Sequence, residues 1–210
     1  LKSLIGAYKE KDIGKARDIC NTVLENHPDS PHAFAILGGL SQEQGDYESA
    51  VLLLEKSIAI DAKQPETLNM YGVAKQELGQ RDDAIAVFEK IVKLFPDFID
   101  AHINLGNLRY EDNQFLAAKT SFNIAISLNP KDADAHYNLG NTLRELGKWE
   151  FAASAYDACL DNDSTYKKAY TNKASVLRQT DRDLDALKNY DEAIRLDGCQ
   201  DVRLFYERAI

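Results

Sequence analysis

The sequence predicts an all-α chain, an α-solenoid of tandem helix-turn-helix units, and three spaced series predict it. Alanines stand at Ala16, Ala50, Ala84, Ala118, Ala152 and Ala186, a step of 34 residues repeated without insertion or deletion. Gly38, Gly72, Gly106, Gly140 and then Ala174 keep the same step, twelve residues ahead of the alanines. Leu54, Phe88, Phe122, Tyr156 and Tyr190 follow each alanine by four residues, one helical turn, and are bulky. A small residue lets two helices approach closely, and a large one beside the contact fills the remaining space. Each repeat is therefore a pair of helices packed on one another.

The elements follow in order from the breakers. Gly45-Asp46, Gly79-Gln80 and Gly147-Lys148 separate the two helices of a unit, and Pro28, Pro96 and Pro130 follow the second helix, which a proline cannot continue. Helices near fourteen residues result. The units read as 1–30 (lacking its first four residues), 31–64, 65–98, 99–132, 133–166 and 167–200, with 201–210 opening a further helix or a capping helix. Leu1 is not an initiator methionine and the chain stops inside the amphipathic run FYERAI, so the expectation is an array cut from a longer parent.

Composition narrows the function. Of the 210 residues, 44% are hydrophobic and 28% charged, which supplies a core and excludes a disordered chain. The 25 Lys+Arg against 34 Asp+Glu give a formal net charge of −9, which disfavours a phosphate-backbone binder, so nucleic acid is not expected as a partner. No apolar run reaches the ~18 residues of a membrane span, so no membrane insertion is expected. The three cysteines, Cys20, Cys159 and Cys199, are too scattered for a disulfide framework or a paired metal site, and a reducing, cytoplasmic setting is the simpler expectation.

The period, the Leu-Gly of LGNLRY and LGNTLR, the Ala-x3-Phe/Tyr spacing and the trailing proline together resemble the tetratricopeptide repeat, over the whole chain. The resemblance implies a right-handed superhelix with a concave groove lined by first helices. Departures are Leu4 at the small-residue position of the first unit, and Ala62, Ser164 and Gly198 in place of the trailing proline, where altered turn angles are expected.

With positions numbered 1–34 so that Gly106 is position 8, positions 4, 7, 8 and 11 share one face of the first helix and positions 2, 6, 9 and 13 the opposite one. The first face is mostly small or apolar, as in His102, Leu105, Gly106 and Arg109 or His136, Leu139, Gly140 and Leu143, and suits packing on the second helix. The other reads Asp100, Asn104, Asn107 and Glu111, then Asp134, Asn138, Asn141 and Glu145, then Lys168, Asn172, Ser175 and Gln179. Asn104, Asn138 and Asn172 fall one repeat apart and are expected to form a row of carboxamides, groups that both donate and accept and so match an extended peptide main chain. Tyr110, Tyr137, Arg144, Lys168 and Arg178 would then select side chains. The row resembles the asparagine ladder of the repeats in O-linked N-acetylglucosamine transferases; the alternative is that these are ordinary solvated residues of the repeat. The earlier units break the row, with Ile36 and Met70 at position 6 and Gly39 and Val73 at position 9, an apolar stretch that could seat a hydrophobic side chain or an amphipathic helix, or be covered by part of the parent protein.

Other signals are weaker. The carboxylate clamp of chaperone-binding repeats is matched by Asn107, Asn138 and Lys168 but not by Ile103 and Asn172, which removes two of its three cations. Asp181, Asp183, Asp185 and Glu192 have the spacing of a calcium loop, yet Ala186 replaces its glycine and helix must follow, so the aspartates read as caps of a second helix. His102 and His136 occupy packing positions without a metal-ligating partner in their helices. Cys20 and Cys159 read as buried thiols and Cys199 as the more reactive one; Asn162-Asp163-Ser164 is a glycosylation acceptor only in a secreted parent. Residues 167–210 carry 9 Lys+Arg against 8 Asp+Glu, so the acidity lies in the preceding part. No cofactor, metal or catalytic motif is implied. The reading is a non-catalytic scaffold that binds a peptide or protein segment in its groove. The alternatives are the substrate-recruiting arm of a larger transferase whose catalysis lies beyond Ile210, and self-association through ends that include Phe205 and Tyr206.

Overall fold

A computed structural model of the chain describes residues 13–197. The expectations placed on Leu4, Gly198, Cys199, Phe205, Tyr206 and the helix at 201–210 lie outside the described residues. Those that are described are helical and strand-free: α1 Ile13–Asn26, α2 Pro31–Glu43, α3 Tyr47–Ile60, α4 Pro65–Glu77, α5 Arg81–Leu94, α6 Ile99–Glu111, α7 Phe115–Leu128, α8 Ala133–Glu145, α9 Trp149–Asn162, α10 Lys167–Arg178 and α11 Asp183–Asp197. First helices are α2, α4, α6, α8 and α10, and each is followed by its second helix. The chain divides into two compact units, Leu1–Ala101 and His102–Ile210. Within each unit consecutive helices pack on one another, and first helices of successive repeats touch, α2 on α4 and α8 on α10.

The interlock of small and large residues explains the pairing. All six alanines of the period are buried, as are Leu54, Phe88, Phe122 and Tyr156. A methyl group on Gly38 would come within 2.7 Å of Leu54 and one on Gly140 within 2.5 Å of Tyr156, so the glycine is required by the ring or branched chain that lies against it. Cys20 holds the bulky position of the first repeat and is likewise fully buried.

Turn chemistry sets the boundaries. Gly45, Gly79 and Gly147 follow the first helices in left-handed conformation, with φ of 76°, 73° and 65°. Asn113 and Asp181 take the same place with φ of 58° and 56°, the two residue types that tolerate it best. Ser30, Asp46 and Asp132 cap α2, α3 and α8 through side chains that accept from Ala33, Ser49 and Ala135 N–H groups. The altered turn expected at Ser164 does not occur, whereas the one expected at Ala62 does: Tyr166 N–H donates to the carbonyl of Asp163 as Asp132 N–H does to that of Asn129, and residues 61–64 form no such hydrogen-bonded turn. Asp61 (φ −138°, ψ 102°) and Asp163 (φ −139°, ψ 94°) match Asn129 (φ −134°, ψ 89°), which precedes Pro130. Asp61, Asn129 and Asp163 each accept from the backbone N–H two residues on, which fixes the start of the turn whether or not a proline follows.

Two further buried series escape the two-face division. Ala33, Thr67, Ala101, Ala135 and Ala169 at position 3, and Leu40, Ala74, Leu108, Thr142 and Val176 at position 10, are all buried. A first helix in a stack is flanked by neighbours as well as by its own partner helix, so it buries a wider arc than a simple amphipathic stripe.

Candidate functional site

The polar face of the first helices in unit 2 forms pairs between neighbouring repeats. Asn138 donates through Nδ2 to Oδ1 of Asn107 at 3.1 Å, and Asn172 donates through Nδ2 to Oδ1 of Asn141 at 2.8 Å. Both links join position 6 of one repeat to position 9 of the repeat before it, a separation of 31 residues. The expected row thus has a different pattern, in which position-6 carboxamides bond to position 9 and not to one another. The stagger follows from the stacking of the helices, which brings position 6 alongside the following turn of its neighbour.

Around the second pair lies a polar hub. The phenol of Tyr156 donates to Oδ1 of Asn141 at 2.8 Å, and Asn172 Nδ2 also donates to the hydroxyl of Tyr137 at 3.1 Å. Burial pushes the phenol of Tyr156 upward, so it stays a neutral donor. The ring of Tyr137 lies 6.0 Å from that of Tyr156 and 4.9 Å from that of Tyr166, both tilted. Tyr166 in turn donates to Asp134 at 2.6 Å; burial and this bond raise its phenol too. The sequence reading placed Tyr137 in the groove but missed Tyr156 as its support. The signal was present: tyrosine replaces phenylalanine at the bulky position in the repeat that carries Asn141.

The carboxamides are only partly spent. Asn107 and Asn141 use their oxygens and keep N–H groups; Asn138 and Asn172 use N–H groups and keep their oxygens. Asn104, on α6, is half-buried and engaged by protein. Lys168 and Arg178 are exposed on α10. Arg144 is tied to Glu145 at 2.8 Å, and Tyr110 donates to the same carboxylate at 3.4 Å, so Glu145 compensates the guanidinium locally. Burial, then the charge of Glu145, raises the phenol of Tyr110.

In unit 1 the same positions are apolar. The sulfur of Met70 packs over Gly39, 3.3 Å from where a methyl group would stand, and Met70 main-chain oxygen accepts from Gln42 at 2.9 Å. Val73 is half-buried on α4. Ile36 is half-buried, as the asparagines of unit 2 are, and packs with Ile13, Ala16, Ile19 and Leu40.

The remaining predicted residues are structural in their surroundings. His102 is buried, and His136 donates through Nε2 to the carbonyl of Pro130 at 2.9 Å. Arg109, on the packing face, donates to Ser121 at 3.0 Å. Cys20 and Cys159 are buried, and burial raises both thiols, that of Cys159 to about 12. Asp185 accepts from Arg182 at 3.0 Å and from Lys188 at 3.1 Å in the first turn of α11. Among the described residues no cluster of His, Cys, Asp and Glu is placed to hold a metal ion, and no helix is long and apolar enough to cross a membrane.

Tandem helical hairpins locked by a 34-residue interlock of small and large residues define a helical-repeat protein whose first helices present the candidate surface. Two family models, each described as Tetratricopeptide repeat, match residues 41–105 and residues 103–167 and 139–198, and the chain belongs to that family. Solved structures agree in fold. A crystal structure of MamA is 25% identical with a TM-score of 0.72, covering 77% of this chain and 94% of that one. MamA from Desulfovibrio magneticus RS-1 is 23% identical with a TM-score of 0.74, covering 81% and 97%. YrrB, described as a TPR protein with an unusual peptide-binding site, is 19% identical with a TM-score of 0.75, covering 90% and 97%. No curated protein matches the chain.

Proposed function

We propose that the chain is a non-catalytic scaffold whose unit 2 binds an extended peptide or protein segment on the faces of α6, α8 and α10. The observation that carries this is the complementary saturation of the asparagine pairs. Asn107 and Asn141 are left as donors while Asn138 and Asn172 are left as acceptors, each oriented by a bond to its partner. A peptide main chain presents carbonyls and N–H groups in alternation, so an alternating ladder engages it whatever its side chains. Each bond contributes only ~1 kcal/mol net, so affinity needs several acting together. Asn104 extends the face, and Tyr110, Tyr137, Arg144, Lys168 and Arg178 border it; within unit 1 taken by itself, Met70 and Val73 offer an apolar seat. Family membership and the peptide-binding site named for YrrB support a protein-interaction role.

The test is to recover the bound segment by pull-down and peptide mapping and to measure its affinity by calorimetry. Replacing Asn104, Asn138 and Asn172 together with alanine is expected to weaken binding at least ~10-fold, since two lost bonds exceed the 1.4 kcal/mol of one decade. Undiminished affinity in a folded triple variant would reject the ladder.

A further inference from the structure

A second surface lies away from the asparagines. Between the second helices α7 and α9, floored by α8, runs an open groove of about 420 Å³. Leu139 and Leu143 form its floor, Phe151 and Ala155 a wall, and Lys119 and Lys148 are its charged lining. Phe151 is 68% exposed, far more than a large aromatic side chain of a stable core.

Comparison among repeats shows that the exposed ring is particular to this one. The position of Phe151 holds Lys15, Ser49, Asp83, Ala117 and Asp185 in the other described repeats, none of them aromatic. The position of Lys119 holds Arg17 in the first repeat and Val51, Ile85, Ala153 and Leu187 in the others. Among the described repeats an exposed ring at that position is found in this one alone. The two lysines make no ion pair among the described residues, in a chain whose acids outnumber its bases by 34 to 25. Lys148 also stands at the N-cap of α9, where the positive end of the helix adds to its charge. No carboxylate lines the groove.

We infer that this groove is a second docking site, and that its occupant is a segment of a partner protein in which a bulky apolar side chain is flanked by acidic residues. The apolar side chain lies against Leu139, Leu143 and Phe151, and the flanking carboxylates face Lys119 and Lys148. Charge complementarity fixes the choice of occupant, because two unpaired cations beside an apolar floor disfavour a basic or neutral amphipathic segment. This site is independent of the asparagine faces, and a segment bound there leaves them open.

The probe is a fluorescein-labelled synthetic peptide with one phenylalanine flanked on both sides by glutamates, titrated into the whole chain and followed by anisotropy. Saturable binding that weakens with salt is expected, with at least a tenfold loss for Lys119→Glu combined with Lys148→Glu and a comparable loss for Phe151→Ser. Circular dichroism checks that these surface variants fold. The same charge change on an exposed face of α5, Lys90→Glu with Lys93→Glu, is expected to leave the affinity unaltered, and a lysine-flanked peptide is expected not to bind. Equal affinity in wild type and in the folded groove variants, or no preference for the acidic probe, would overturn the inference. Concentration-dependent sedimentation of the chain alone, abolished by the groove variants, would also overturn it by assigning the groove to a second copy. None of these outcomes depends on the asparagine ladder.

Discussion

Units 1 and 2 solve the same contact with different chemistry. Where position 6 of one first helix meets position 9 of the preceding one, unit 1 lays Met70 over Gly39, and unit 2 joins Asn138 to Asn107 and Asn172 to Asn141. The apolar version fills space and leaves nothing to offer a ligand beyond its surface. The polar version consumes half of each carboxamide and leaves the other half oriented. Stacking geometry therefore fixes that these positions meet, and residue type decides whether the meeting place is a seam or a binding face.

The packing beneath both faces is common to the two units, and disturbing it gives the largest expected effect. Ala118→Leu or Ala152→Leu, both fully buried, should each destabilise by ~1–3 kcal/mol through overpacking, measured by urea denaturation. Ala50→Leu in unit 1 should behave alike, and a neutral result in either unit would undo the assigned register. Next comes the hub that unit 1 lacks. Tyr156→Phe should cost ~1 kcal/mol by removing the bond to Asn141, and a double-mutant cycle with Asn172→Ala should show non-additivity of at least ~0.5 kcal/mol. Additive effects would mean that the two residues do not share Asn141.

Acid should affect both units together. The carboxyl of Asp46 in unit 1 is held below its ordinary 3.8 by hydrogen bonds from Ser49, and that of Asp163 in unit 2 by those from Thr165. A folded-state value below the unfolded one means stability that is present above 3.8 and lost as pH falls through the lowered value. Melting temperature should accordingly decline below that pH, and Asp46→Asn should make the decline shallower. The smallest effect is expected at the left-handed turns. Asn113→Gly should raise stability by up to ~1 kcal/mol, whereas Gly147→Asn at the equivalent place should lower it, read from paired thermal melts.

Much of this was legible from spacing. The alanine, glycine and aromatic series located the helix pairs and their packing because a strict period samples the same three-dimensional place repeatedly. The two-face division of the first helix was too simple, since it assumed one buried stripe and overlooked Ala135, Ala169, Thr142 and Val176, buried against neighbouring repeats. Ile36, which shares its repeat position with the asparagines, also packs with α1, a contact that its number in the repeat does not reveal. The asparagines were visible as a row, but their partners were not, because bonds from position 6 to position 9 depend on the stagger between helices and no single helix encodes that stagger. This pairing also alters an expectation: removing Asn138 and Asn172 takes away intramolecular bonds, so a modest drop in melting temperature should accompany the loss of binding.

The division of labour within the asparagine pairs is most directly tested by the side-chain amide resonances in a nitrogen-correlated NMR titration with the mapped segment. The N–H signals of Asn107 and Asn141 should shift on binding, because those groups are uncommitted in the free protein, and the N–H signals of Asn172 should move least, because both of its hydrogens are already taken. Binding that leaves Asn107 and Asn141 unmoved would contradict the account.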